Sequence, residues 1–142
     1  MSDFRWLDET RALQREAFGV DPWSLDGELL ADYVTWNVAA LTAEVGEFLN
    51  EVAWKPWSTD RGPGNRDAAV SELIDVAHFL ANLACVLQCT DEEWERKYHE
   101  KMSINRKRQA DGYDNSNKCN KCKRALDDAS VRCTQTLCME DE

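Results

Sequence analysis

The sequence lacks any run of apolar residues of bilayer-spanning length, and its N-terminus, Met1-Ser2-Asp3-Phe4-Arg5, lacks a signal-peptide core. Both absences lead us to expect a cytoplasmic protein. Basic charge is also scarce. Seventeen lysines and arginines stand against 27 aspartates and glutamates, a net charge of −10. Non-specific nucleic-acid binding needs a basic surface to neutralise phosphates, so direct nucleic-acid binding is not expected. A small phosphorylated ligand stays open, because bound metal ions would invert the local field. Internal repeats are absent, and so is any strand pattern before residue 118. What remains in 142 residues, 43% of them apolar, is one all-α domain with a small appendage.

Four helices follow from the apolar spacing. Residues 3–18 read as the first, with Phe4, Leu7, Leu13, Ala17 and Phe18 as apolar punctuation. Asp21-Pro22 then offers an N-cap and an N1 proline. Leu30, Val34, Val38, Leu41, Val45, Phe48 and Val52 recur at spacings of three and four, which predicts a long helix over about 26–53. Trp54-Lys55-Pro56-Trp57 ends it, because Pro56 lacks an amide donor and restricts Lys55. A turn-rich loop follows over 58–65. The third helix, about 66–88, is apolar on most sides, as a helix buried in a bundle is. Thr90 and Glu93 form a capping box for a fourth, to about 110, and Gly112 stops it. Residues 114–118 are a polar linker, and 119–142 are a cysteine-bearing tail. The expected organisation is a four-helix domain over 1–113 and a tail over 114–142.

Glu44 and Glu47 are three residues apart, as are Glu72 and Asp75, so each pair projects from one helical face. Both pairs sit among apolar neighbours, where a carboxylate is costly to bury unless paired or metal-bound. A divalent cation with oxygen ligands, most often Mg²⁺, is the usual agent that lets four carboxylates converge. Lys97, Lys101, Asn105 and Arg108 form a complementary stripe on the fourth helix. Two point charges, an amide donor and a guanidinium fork can grip phosphate oxygens. Acids for metals and cations for phosphates are the two halves of a nucleoside triphosphate site. His78, on an apolar helix, reads as a core residue. Mg²⁺ prefers oxygen, so it is not counted as a ligand. Cys85 and Cys89 read as small core hydrophobes.

Glu44-x-x-Glu47, Trp54-Lys55-Pro56-Trp57, Glu72-x-x-Asp75-x-x-His78-Phe79 and Asn105-x-x-x-Gln109-x-x-Gly112-Tyr113 together resemble the dimeric, all-α dUTPases. More broadly they resemble the MazG-like nucleoside triphosphate pyrophosphohydrolases, many of them from phages. The resemblance covers roughly residues 30–113. It implies that Glu44, Glu47, Glu72 and Asp75 ligate catalytic Mg²⁺. Water then attacks the α-phosphorus in line, releasing pyrophosphate and a nucleoside monophosphate, with Glu44 as proton acceptor. It also implies that Lys97, Lys101, Asn105 and Arg108, helped by Lys55, hold the triphosphate. Phe79 would sit near the base or sugar, and Tyr113 would order the closing segment. Trp36 and Trp57 are the tryptophans expected to approach a ligand. A homodimer or homotetramer is implied, in the host cytoplasm if phage-encoded.

Two positions depart from the pattern. Where the dUTPase branch commonly has an aromatic residue near the base, this chain has Pro56. The branch also reads uracil with an early Gln…Asn pair, whereas Gln14 has no nearby asparagine here, leaving Asn37 and Asn82 as substitutes. The reaction is thus better marked than the base. dUTP is favoured, with dCTP or a purine dNTP as alternatives.

The tail carries Cys119, Cys122, Cys133 and Cys138, a C-x2-C-x10-C-x4-C spacing suited to a tetrahedral structural Zn²⁺. So short a segment has too little apolar surface to fold without such a staple. The rival reading of the whole chain is a non-catalytic zinc-ribbon adaptor with a helical dimerisation platform. It leaves the two acidic pairs and the basic stripe unexplained.

Overall fold

The computed structural model describes residues 4–59 and 64–129. Four α-helices carry the chain: α1 (Trp6–Phe18), α2 (Gly27–Glu51), α3 (Arg66–Val86) and α4 (Asp91–Asp111). Short 3₁₀ turns occupy Pro22–Ser24 and Asn115–Asn117. The all-α class and the four expected helices are therefore present, with ends shifted by a few residues. Two compact units divide at Glu93/Trp94.

In the first unit α2 and α3 form an antiparallel hairpin, with α1 and the Pro22–Ser24 turn packed on α3. Two interactions set the hairpin's register. At the loop end, the Asn65 amide donates to the Glu51 carbonyl at 3.1 Å. At the far end, the Asn82 side chain donates to Asn37 Oδ1 at 2.8 Å, and Asn37 Nδ2 donates to the Tyr33 carbonyl. Gly64 makes the loop-end approach possible. It has a φ of +61°, and a Cβ there would collide with the Glu51 carbonyl oxygen. Asn65 then caps α3 by accepting from the Ala68 amide.

The ends of α1 show why the sequence-based bounds shift. Its N-terminus is capped from a distance: the Leu7 and Asp8 amides donate to the Asp91 carboxylate at 2.9 and 3.1 Å. Nothing local in the sequence marks that start. Its C-terminus follows the usual rule, with Gly19 at φ +67° and the Val20 amide returning to the Gln14 carbonyl. Asp21-Pro22 does cap a helical segment, but that segment is the 3₁₀ turn rather than α2. The Trp23 amide donates to Asp21, while Arg11 forks onto the same carboxylate at 2.8 and 2.7 Å and lies over the Trp23 ring. Thr90 caps α4 as expected, accepting from the Glu93 amide.

The core of this unit includes Leu7, Ala69, Ala81, Ala84 and Cys85. Cys85 behaves as the small core hydrophobe expected. Its thiol contacts the Leu7 carbonyl, and burial pushes it up to about 11. The expectation that α3 is buried on most sides is corrected. Val70, Leu73, Ile74 and Leu80 are exposed, because the hairpin and α1 cover only one flank. No unbroken apolar run is present in α3, which Glu72 and Asp75 interrupt. By length and composition alone, α3 is apolar enough to cross a bilayer.

The second unit contains most of α4 and the residues after it. Asp114 and Asn117 cap the second 3₁₀ turn reciprocally. A small hairpin follows, closed by an antiparallel bridge between Lys118 and Ala125. It is fastened to α4 within the unit: Arg108 forks onto Asp127 at 2.8 and 2.7 Å, and Lys101 pairs with Asp128.

Candidate active site

The α2–α3 register positions the acids. Seven residues toward the loop from the Asn37–Asn82 pair lie Glu44 and Asp75; ten residues toward it lie Glu47 and Glu72. Seven residues are close to two helical turns, so Glu44 and Asp75 return to the face that joins the helices. Carboxylate oxygens of Glu44, Glu72 and Asp75 lie within 4.8 Å of one another. Glu44 and Glu72 are half-buried and Asp75 is exposed. Glu47 is exposed and does not join this trio, although its charge acts on both of its half-buried members.

The electrostatics are those of crowded like charges. Partial burial, then Glu47, Asp75 and Glu72, hold the Glu44 carboxyl above its ordinary range. Partial burial, then Glu47, Asp75 and Glu51, do the same to Glu72. Among the described residues no lysine or arginine pairs with Glu44, Glu72 or Asp75. The nearest candidate counter-charge is His78, whose Nδ1 lies 3.6 Å from Asp75 Oδ1. His78 is therefore an exposed neighbour of the acids and not the core residue the sequence suggested. Three convergent oxygen donors with no lysine or arginine partner among the described residues fit a divalent metal such as Mg²⁺. Glu51 was missed in the sequence, although Glu44, Glu47 and Glu51 continue one stripe at spacings of three and four.

The other expected residues fall into three settings. Asn37 and Asn82 are buried and bonded to each other, and the buried Asn82 Oδ1 has no partner. An orphaned acceptor costs about 1–3 kcal/mol. Gln14 accepts from the Tyr33 hydroxyl. Phe79 is half-buried, whereas Trp36, Lys55 and Trp57 are exposed, and the Trp57 ring meets Trp54 edge-on at 5.9 Å.

Within the second unit, Asn105, Arg108 and Tyr113 share a cavity of about 450 Å³ with Gln109 and Gly112. Arg108 lies 4.3 Å from the Tyr113 ring centre. Lys97 and Lys101 line another cavity, of about 640 Å³, beside Asp128. The stripe is thus partly engaged, since Lys101 and Arg108 hold Asp128 and Asp127. Cys119 is buried and Cys122 half-buried, both as free thiols. Cys133 and Cys138 lie outside the described residues. Among the described residues no cluster of cysteine or histidine suited to a metal is found.

No curated protein and no solved structure matches the chain. The sequence model of one family, described as dUTPase, matches residues 16–94, more than half of the chain and all of the acidic trio. The chain belongs to that family, and it is an enzyme of the nucleoside triphosphate pyrophosphohydrolase type.

Proposed function

We propose that this member of the dUTPase family hydrolyses a deoxynucleoside triphosphate to the monophosphate and pyrophosphate, with dUTP as the favoured substrate. The observation that carries the reading is the convergence of Glu44, Glu72 and Asp75, with no lysine or arginine paired to them among the described residues. Mg²⁺ bound there supplies Lewis acidity, which lowers the pKa of water and offsets phosphate charge. Glu47, one turn along α2, completes the proposed ligand set. Glu44 takes the proton in this reading.

We assign the phosphates to Lys97, Lys101, Asn105 and Arg108, with Lys55 assisting. Lys101 and Arg108 must then exchange Asp128 and Asp127 for phosphate oxygens. Trp57, Phe79 and Tyr113 are assigned to base, sugar and closure. Asn37 and Asn82 are assigned to the base side, and their mutual hydrogen bond supports a positioning role there. The catalytic part is taken to extend over 1–113, with the tail over 114–142.

A homodimer is the proposed assembly, supported by the exposed Trp36, Val45, Leu73 and Ile74 on α2 and α3. We place the enzyme in the cytoplasm, in control of nucleotide pools. In the tail we assign a structural Zn²⁺ to Cys119, Cys122, Cys133 and Cys138. The support is that Cys119 and Cys122 share one tight hairpin, with the Lys123 amide returning to the Cys119 carbonyl at 2.9 Å. Metal analysis of freshly purified chain should find about one zinc per chain.

The reaction is tested with a panel of dNTPs and Mg²⁺. Pyrophosphate should appear, fastest from dUTP. Faster release from dCTP or a purine dNTP would keep the reaction and replace the base. Release of orthophosphate alone would remove the reaction.

A further inference from the structure

Two of the residues assigned to the phosphates already hold anions of their own chain. Arg108 Nε and Nη2 donate to the two carboxylate oxygens of Asp127 at 2.8 and 2.7 Å, and Lys101 donates to Asp128. The fork on Arg108 is the same two-acceptor geometry that a guanidinium makes with a phosphate. Lys101 and Arg108 are seven residues apart on α4, so they stand about two turns apart on one face. Asp127 and Asp128 are consecutive, and the later acid meets the earlier cation, as in a segment that doubles back along the helix.

Backbone bonds that do not involve the two carboxylates order this segment. The Leu126 amide donates to the Asn117 carbonyl at 3.0 Å, Lys118 bridges to Ala125, and the Cys119 amide donates to the Arg124 carbonyl at 2.8 Å. The two carboxylates therefore emerge beside the cations from an ordered hairpin. An anion on so short a tether acts at about millimolar effective concentration, however dilute the protein. Asp128 also lines the cavity that Lys97 and Lys101 share, so it stands in the space beside the stripe.

We propose that Asp127 and Asp128 form an autoinhibitory contact, in which two carboxylates stand in for substrate phosphates on Arg108 and Lys101. The inference rests on the assignment of the stripe to the phosphates. A polyphosphate binds only chains whose cations have been released, so its apparent affinity is reduced by that fraction. Once substrate is bound the acids have left, so the contact acts on KM and leaves kcat unchanged.

The test uses the full chain and two readouts: hydrolysis of its preferred dNTP, and calorimetric binding of tripolyphosphate without added divalent metal. Asp127→Asn removes the charge at the more open of the two acids, since Asp128 is 2% exposed. It should lower KM by about threefold or more at unchanged kcat, and tighten tripolyphosphate binding by a similar factor. Asp127→Ser, which also removes the fork, should give at least as large a gain. Asp127→Glu keeps the charge and should stay near the native values. Glu95→Gln removes one exposed charge from the same helix, at a residue paired with His99, and should change neither readout. A contact that merely fastens the hairpin would lower Tm in Asp127→Asn and Asp127→Ser and leave both affinities unchanged. Unchanged or weaker tripolyphosphate binding in those two variants would overturn the proposal. So would an equal gain in Glu95→Gln. If no dNTP is hydrolysed, the catalytic reading fails and tripolyphosphate binding alone decides this one.

Discussion

At the scale of single residues, the acids of the α2–α3 hairpin carry the account. Replacing Asp75 with Asn keeps the shape and removes a charged ligand. Turnover should fall by at least about a hundredfold while the helical spectrum stays unchanged. Retention of more than about a tenth of the native rate would show that Asp75 is not a ligand. The linkage to pH has two opposed parts. Glu44 and Glu72 have raised pKa values in the fold, so their contribution is favourable at low pH and is lost as pH rises through the raised values. A divalent cation relieves that loss. Mg²⁺ should therefore raise Tm more at pH 7 than near pH 4. Asp21 runs the other way. The Arg11 fork lowers its carboxyl to about 2, so its contribution is present above the ordinary carboxylate range and disappears as pH falls toward about 2. Asp21→Asn should lower Tm at pH 7 and leave a flatter acid limb below about pH 4, as read by thermal melts across pH.

At the scale of elements, the hairpin register decides which acids meet. Gly64→Ala should force the loop away from the Glu51 carbonyl and destabilise the fold by about 1–3 kcal/mol, read from chemical denaturation. An unchanged midpoint would mean that the loop end does not set the register. Much of this level was legible in the sequence. The periodicity of residues 30–52 gave α2 nearly to its ends, and Thr90 marked the start of α4. Period-three spacing placed each acid pair on one face of its helix, and the register then chose Glu44, Glu72 and Asp75 as the acids that meet. The missed features are those made by distant partners. Asp91 caps α1 across more than eighty residues, and Asn82 with Asn37 fixes the register across forty-five. Lys101 and Arg108 read as a free stripe because their partners, Asp128 and Asp127, lie beyond the end of the helix that bears them.

At the scale of the whole molecule, the apolar residues left exposed on α2 and α3 are the main observation. Trp36 is 69% exposed, and Leu73 and Ile74 are about half exposed. The sequence read α3 as buried on most sides, and a second copy is what would restore that burial. Sedimentation at micromolar concentration should give a homodimer, and Ile74→Asp should shift it toward monomer. A native chain that sediments as a stable monomer would contradict this assembly. At the same scale, a single net charge averages an acidic first unit with the basic stretch of α4 and its hairpin.

The central claim is that Glu44, Glu72 and Asp75 hold the divalent cation that drives pyrophosphate release. It is tested most directly by titrating Mg²⁺ into native chain and a Glu72→Gln variant while following pyrophosphate formed from dUTP. The native chain should show saturable Mg²⁺-dependent release that EDTA abolishes. The variant should need far more metal and turn over at least about a hundredfold more slowly at saturation. Equal metal dependence in the two proteins, or release that persists in EDTA, would contradict the account.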